Sequence, residues 1–189
     1  MRFVRLGAAA EDAYACPHYF VRMDAELRPR PDHLQLLRAC YLDLDTYRDP
    51  ELAGLEPDEL ARRVLEVLEA AGIPRPTIVF TGRGLQLGWR FAGGILPAAL
   101  PRWKAVQTAL DGLLRAFRPD PAVTLDPVRI LRLPGSVNRK SGRTATVLVA
   151  GDVVTFDELA AAALPLDRRQ VHALELERRT AAPRSAPTP

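Results

Sequence analysis

The chain has 189 residues, 48% hydrophobic and 26% charged, with 17 Pro and 12 Gly, the composition of one soluble globular domain with a tail. No stretch approaches the roughly 18 consecutive apolar residues of a membrane span, and residues 1–7 lack a basic region followed by an apolar core, so a cytoplasmic protein without membrane contact is expected. Cys16 and Cys40 are too few for a disulfide scaffold, and their spacing to His18 and His33 fits no common zinc pattern, which argues against zinc as a cofactor. The net charge of +3 is unevenly spread: residues 101–150 hold nine basic side chains against three acids. Five of the nine (Arg129, Arg132, Arg139, Lys140 and Arg143) follow one another with no acid between them, a density that suits a phosphate-bearing ligand or a nucleic-acid strand as well as a solvated face.

Taken in chain order, 18–23 is a short aromatic and β-branched run read as a strand, and 34–45 is an apolar run that periodicity alone leaves open between helix and strand. From Pro57 to Ala71 the apolar positions Leu60, Val64, Leu65, Val67, Leu68 and Ala71 recur at helical spacing. Pro57 stands in the first turn, with Gly72 and Pro74 beyond the end, which predicts an amphipathic helix. Two strands follow, 77–80 and 85–91, joined at Gly82–Gly84; in the second, Leu85, Leu87, Trp89 and Phe91 alternate with Gln86, Gly88 and Arg90. A second helix is expected over 101–117 with the stripe Trp103, Val106, Leu110, Leu113, Leu114 and Phe117, ended by Pro119 and Pro121. The runs 144–149 and 153–156 flank Gly151-Asp152 and read as a hairpin, and Thr155 with Glu158 forms a capping box for a short helix to Leu164. The domain thus covers 1–165. A C-terminal helix over 166–179, with His172 on its exposed face, and a Pro-rich disordered tail or linker over 180–189 complete the chain.

Three segments carry candidate chemistry. In Ala39-Cys40-Tyr41-Leu42-Asp43-Leu44-Asp45 a strand would place Asp43 and Asp45 on one face about 7 Å apart, the geometry by which two carboxylates share divalent ions. The same pair is also how a strand end runs into a polar turn. Thr81-Gly82-Arg83-Gly84-Leu85-Gln86 offers a hydroxyl, a guanidinium and backbone N–H groups around a tight turn, suited to a triphosphate or to a plain hairpin. It is not a P-loop, since no G-K-[ST] follows. From Asp120 to Arg143 a carboxylate introduces a strand, R-I-L-R-L, that leads through Pro134-Gly135 into the basic loop. Arg129 and Arg132, three apart on a regular strand, would face opposite sides. Trp89 and Trp103 fall on apolar faces and read as core. Tyr41, on the strand face of Asp43, is a candidate for stacking on a base or touching a sugar.

The order of these segments, strand D-x-D, glycine turn, then an acid followed by R-I-L-R-L-P-G-S-V-N-R-K-S-G-R, resembles the archaeo-eukaryotic primase superfamily, especially plasmid and phage primase-polymerases and RepB-like primases. The resemblance covers roughly 18–149. It implies an α/β (α+β) fold with an RNA-recognition-like antiparallel sheet flanked by helices. It also implies two divalent ions, Mg²⁺ or Mn²⁺, held by Asp43, Asp45 and Asp120, with Asp126 in reserve for the third position. Thr81, Arg83, Gly84, Gln86, Arg132, Asn138 and Lys140 would meet the incoming nucleotide, and Arg129, Arg139, Arg143 and Tyr41 the nucleic acid. Gln86 stands where most members carry histidine and cannot take up a proton. The activity so implied is template-directed nucleotidyl transfer on single-stranded DNA from nucleoside triphosphates, in plasmid, phage or mobile-element replication, with a helicase domain or protein as a further partner. Two other classes share the features: a non-catalytic single-strand-binding initiator module of the same fold, and a metal-dependent phosphodiesterase.

Overall fold

The computed structural model describes residues 11–21 and 30–165. The expected C-terminal helix, the Pro-rich tail and residues 22–23 of the first strand lie outside them. In chain order the elements are β1 (Tyr14–Ala15), β2 (Tyr19–Phe20), β3 (Leu34–Leu44), α1 (Pro50–Ala53), α2 (Pro57–Ala70), β4 (Thr77–Phe80), β5 (Leu85–Ile95), α3 (Leu100–Leu113), α4 (Pro121–Thr124), β6 (Leu131–Arg132), β7 (Val137–Asn138), β8 (Arg143–Thr144), β9 (Thr146–Val149), β10 (Val153–Val154) and α5 (Phe156–Ala163). The main sheet runs β2-β3-β5-β4-β9, all antiparallel, with β10 added beside β5 in parallel.

The run that periodicity left open is the eleven-residue β3, paired along β5 from Leu44 opposite Leu85 to Ala39 opposite Arg90. Alternation then sorts the side chains. Cys40, Leu42 and Leu44 share one face with Leu85, Leu87 and Trp89 and are fully buried in a core that includes Leu60, Val64 and Leu68 of α2 and Leu159 of α5. The other face carries Ala39, Tyr41 and Asp43 opposite Arg90, Gly88 and Gln86. Each buried large side chain contributes about 1.5–3 kcal/mol, and Trp89 and Trp103, both fully buried, also find acceptors in Pro74 O and Ala39 O.

The helix over 57–70 forms as its spacing predicts, with Asp58 and Glu59 in its first turn and Gly72 at φ +68 just past its end. The capping box of α5 has both reciprocal bonds, Thr155 to the Glu158 N–H and Glu158 to the Thr155 N–H.

The structure corrects three local expectations. The stripe expected on the second helix holds at Leu114 and Phe117, which are buried, but not at Leu113, which is exposed where α3 ends and the chain passes into a 3₁₀ turn over Arg115–Phe117. The segment after Asp120 opens as the short helix α4 rather than a strand: Pro121 presets its first turn and the Asp120 carboxylate caps the Ala122 N–H at 2.9 Å. The hairpin across Gly151-Asp152 does not form. β9 pairs with β4, whereas β10 lies parallel to β5 at Arg90 and Phe91, where β4, which begins at Thr77 opposite Gly88, leaves that edge open. Gly151 makes the crossing possible, since a Cβ there would stand 2.1 Å from the Thr77 nitrogen.

Candidate active site

Beyond Leu36, β3 no longer has β2 as an outer neighbour, and its exposed edge is completed by other parts of the chain. Trp103 donates to Ala39 O. The buried Gln107 accepts from the Tyr41 N–H at 3.0 Å and donates to Tyr41 O at 2.8 Å and to Thr124 O at 2.7 Å. The Asp120 N–H then donates to Asp43 O, and the Asp45 N–H to Arg118 O, both at 2.8 Å. This ladder brings the third aspartate beside the first two across a long sequence separation.

Asp43, Asp45 and Asp120 border one cavity of about 470 Å³, and Thr81, Arg83, Gln86, Arg129, Arg132, Asn138 and Lys140 line it with them. Asp43 is largely buried, and its carboxyl is pushed up to about 6, first by burial and then by the charges of Asp45 and Asp120. Asp45 pairs with Arg48 at 3.0 Å. The donor set, three carboxylates, suits a hard divalent cation, which would offset the repulsion that raises Asp43. The side chains do not themselves close into a cage: among the described residues, no three His, Cys, Asp or Glu gather within metal-holding reach.

The basic side is partly engaged. Arg132 is buried, donates to the Asp12 carboxylate at 2.8 Å and to the Tyr14 hydroxyl, and lies over the Tyr14 ring. Its guanidinium holds the Asp12 carboxyl below its ordinary range. Arg83 is exposed and stacks on Tyr47, 3.9 Å from the ring centroid. Arg129 reaches the cavity as well as Arg132, because β6 is only two residues long and Arg129 stands before it in a turn whose N–H bonds to Asp126 O.

Several residues hold the site rather than line it, or do both. Gln86 faces Asp43 across the strand pair; its Oε1 accepts from the Arg132 N–H at 3.0 Å, which turns its amide nitrogen toward the Asp43 carboxylate. The Thr81 hydroxyl donates to Gly84 O and accepts from the Gly84 N–H, so Gly84, expected at the nucleotide, closes the turn instead. The amide of Asn138 donates to Thr81 O and accepts from the Lys140 N–H, tying the basic loop to the glycine turn. Gly84 also lies against β3. A Cβ there would stand 2.2 Å from Leu44 O, so Gly84→Ala should push the strand end carrying Asp45 aside and cost about 3 kcal/mol, read as a lowered urea midpoint.

Besides Gly84, four expected residues lie away from the cavity. Tyr41 is fully buried among His18 and Trp103, with its hydroxyl donating to Asp126 O, so its ring is closed to a base. Asp126 caps the Val128 N–H and supports Tyr41. Arg139 pairs with Glu11, and Arg143 stacks on Phe80. Conversely, Asp12, Tyr14, Tyr47 and Arg48 line the cavity without having been picked out in the sequence. Tyr47 and Arg48 follow Asp45 directly and were findable by position, whereas Asp12 and Tyr14 arrive from a segment with no motif.

No protein-family model matches the chain. A curated protein of Clostridium perfringens named "Replication protein" is 35% identical over 120 residues, 63% of this chain. The match spans only 28% of that relative's length. Among solved structures, the AEP domain of the Cyanophage S-2L primase-polymerase superposes with a TM-score of 0.50 at 21% identity, over 72% of this chain and 64% of that one. The catalytic domain of primase RepB′ in complex with initiator DNA gives 0.46 at 16% identity, over 82% and 68%. The resemblance carried by the motifs therefore holds at the level of architecture: this chain has the archaeo-eukaryotic primase fold.

Proposed function

We propose that the chain is a primase or primase-polymerase catalytic domain that joins nucleotides on a single-stranded DNA template. The observation that carries this reading is the division of one cavity into an acidic side, Asp43, Asp45 and Asp120, and a cationic side, Arg83, Arg129, Arg132 and Lys140. A nucleoside triphosphate with its divalent ions is the ligand class that matches both halves. The likeness to a replication protein supports the setting.

In the reaction a 3′ hydroxyl releases its proton to solvent as its oxygen bonds to the α-phosphorus of the incoming nucleotide, the bridging P–O bond to the β-phosphate breaks, and pyrophosphate leaves. Bound Mg²⁺ or Mn²⁺ would supply activation of the hydroxyl and neutralisation of the leaving group. The three aspartates would hold the ions. Arg83 and Lys140, both exposed, would clamp the phosphates once Arg83 leaves Tyr47. Gln86 orients the Asp43 carboxylate rather than meeting phosphate, because its carbonyl is already engaged by the Arg132 N–H.

One observation favours a second reading, a non-catalytic single-strand-binding module: Asp45 and Asp120 already have partners in Arg48 and the α4 N-terminus. Calorimetric titration of a nucleoside triphosphate separates the two. Catalysis predicts binding that requires Mn²⁺ or Mg²⁺ and weakens at least tenfold in Arg83→Ala/Lys140→Ala. The binding module predicts uptake of single-stranded DNA with no metal-dependent nucleotide affinity.

A further inference from the structure

The sheet face that carries Asp43 continues past it. Asp43 and Gln86 form one cross-strand row, Tyr41 and Gly88 the next, Ala39 and Arg90 the third, each about 7 Å further on. Over the second and third rows lies a separate cleft of about 220 Å³, bordered by Tyr19, Arg38, Thr77, Gly88, Arg90 and Leu131. We propose that this cleft takes a base of the single-stranded DNA, stacked beside Tyr19, with Arg38 and Arg90 on the flanking phosphates.

Gly88 is the first reason. It stands mid-strand between the buried Leu87 and Trp89, where glycine weakens a sheet, and a Cβ on it would meet nothing within 4 Å. The missing side chain therefore leaves open space above the strand rather than relieving a clash. Its φ is not in the left-handed region, so backbone conformation does not demand glycine either. The second reason is the make-up of the walls. Tyr19 is 47% exposed and Arg38 lies 5.0 Å above its ring, an aromatic surface already paired with a cation. Leu131 adds an apolar wall, Ala39 and Tyr41 lie buried beneath, and Arg90 is exposed at the rim. Flat apolar groups spaced along a polyanion match an apolar slot with guanidinium edges. An acidic peptide would not need the slot, and duplex DNA would not enter a cleft of this size. The third reason is continuity: Leu131, on the cleft wall, immediately precedes Arg132 in the catalytic cavity, so a strand leaving the cavity along this face meets the cleft next.

The inference rests on the reading of the chain as a single-strand-binding enzyme, and the test separates the two. Fluorescence anisotropy of a labelled oligothymidylate is measured with the full chain, without nucleotide, across a salt series. Tyr19→Ala and Gly88→Leu should each weaken binding about tenfold, the first by removing the stacking surface and the second by filling the slot. Arg38→Ala and Arg90→Ala should each lower the salt slope by about 0.7. Metal-dependent nucleotide binding should stay at the wild-type level in all four. Tyr19 is exposed, so its variant keeps the test valid should Gly88→Leu fail to fold. Wild-type binding with unchanged affinity and slope in Tyr19→Ala, Arg38→Ala and Arg90→Ala overturns the cleft while leaving the enzymatic reading intact. Absence of single-strand binding by the wild type overturns both.

Discussion

Asparagine in place of Asp43 should abolish the proposed nucleotide incorporation and, at neutral pH, make the protein more stable. The first effect follows from removing the carboxylate at the centre of the acidic side. The second follows from the carboxyl's position, pushed up from 3.8 to about 6 by burial and by Asp45 and Asp120. Below pH 3.8 the side chain is protonated in both folded and unfolded chains and costs nothing. As pH rises from there to about 6 the unfolded chain releases its proton first, so stability falls, and above 6 the full penalty of about 3 kcal/mol is present. The uncharged amide of Asp43→Asn carries no such penalty. The gain in Tm over wild type should therefore be absent near pH 3.5 and complete by pH 7. Mn²⁺ should raise the wild-type Tm and leave that of Asp43→Asn nearly unmoved, because only the carboxylate gains from a cation. Thermal unfolding at the two pH values, with and without Mn²⁺, checks this; equal Tm at neutral pH would show that Asp43 is not strained by its neighbours.

Gln107→Leu should be the most damaging change outside the cavity. Its side chain makes three hydrogen bonds, to Tyr41 N, Tyr41 O and Thr124 O, all from a fully buried position. Leucine fills the space but satisfies none of them. Leaving buried backbone groups unpaired costs roughly 1–3 kcal/mol apiece, so a loss on the order of 4 kcal/mol is expected, a large part of the stability of a domain this size. The same bonds couple β3 to α4, whose N-cap is Asp120. Activity should therefore fall even below the temperature at which the variant unfolds. Urea denaturation gives the first quantity and turnover of the folded variant the second; a wild-type midpoint would contradict the role assigned to the edge ladder.

Local signals in this sequence were legible where one residue's chemistry decides one local bond. Pro57 and Gly72 bracket α2, Thr155 and Glu158 cap α5, and the alternation of Leu85 to Phe91 marks a strand buried on one face. The D-x-D run stays open between helix and strand by periodicity alone, and the structure makes it β3 as far as Leu44, with Asp45 in the turn beyond. What stayed hidden depends on pairing between distant segments. Nothing near Val153 indicates that it will lie parallel to β5, since that edge is open only because β4 starts at Thr77. Gln107 belongs to no motif, and its role exists only because β3 outruns β2. Tyr41 shares the face of Asp43, as alternation demands, but His18 and Trp103 cover it, and cover is not written in periodicity. Asp12 meets Arg132 across 120 residues. Gln86 drew notice as a departure from the usual histidine, and only the Arg132 N–H shows which way its amide points.

The central claim, that the acidic and cationic halves of one cavity together join nucleotides, is tested most directly by incubating the wild-type chain and Asp43→Asn with single-stranded templates, labelled nucleotides and Mn²⁺ or Mg²⁺, with and without a primer, on a denaturing gel. The account predicts metal-dependent products from the wild type and none from the folded variant, and products formed without a primer would identify a primase. Template binding by the wild type with no incorporation under either metal, or undiminished products from Asp43→Asn, would contradict it.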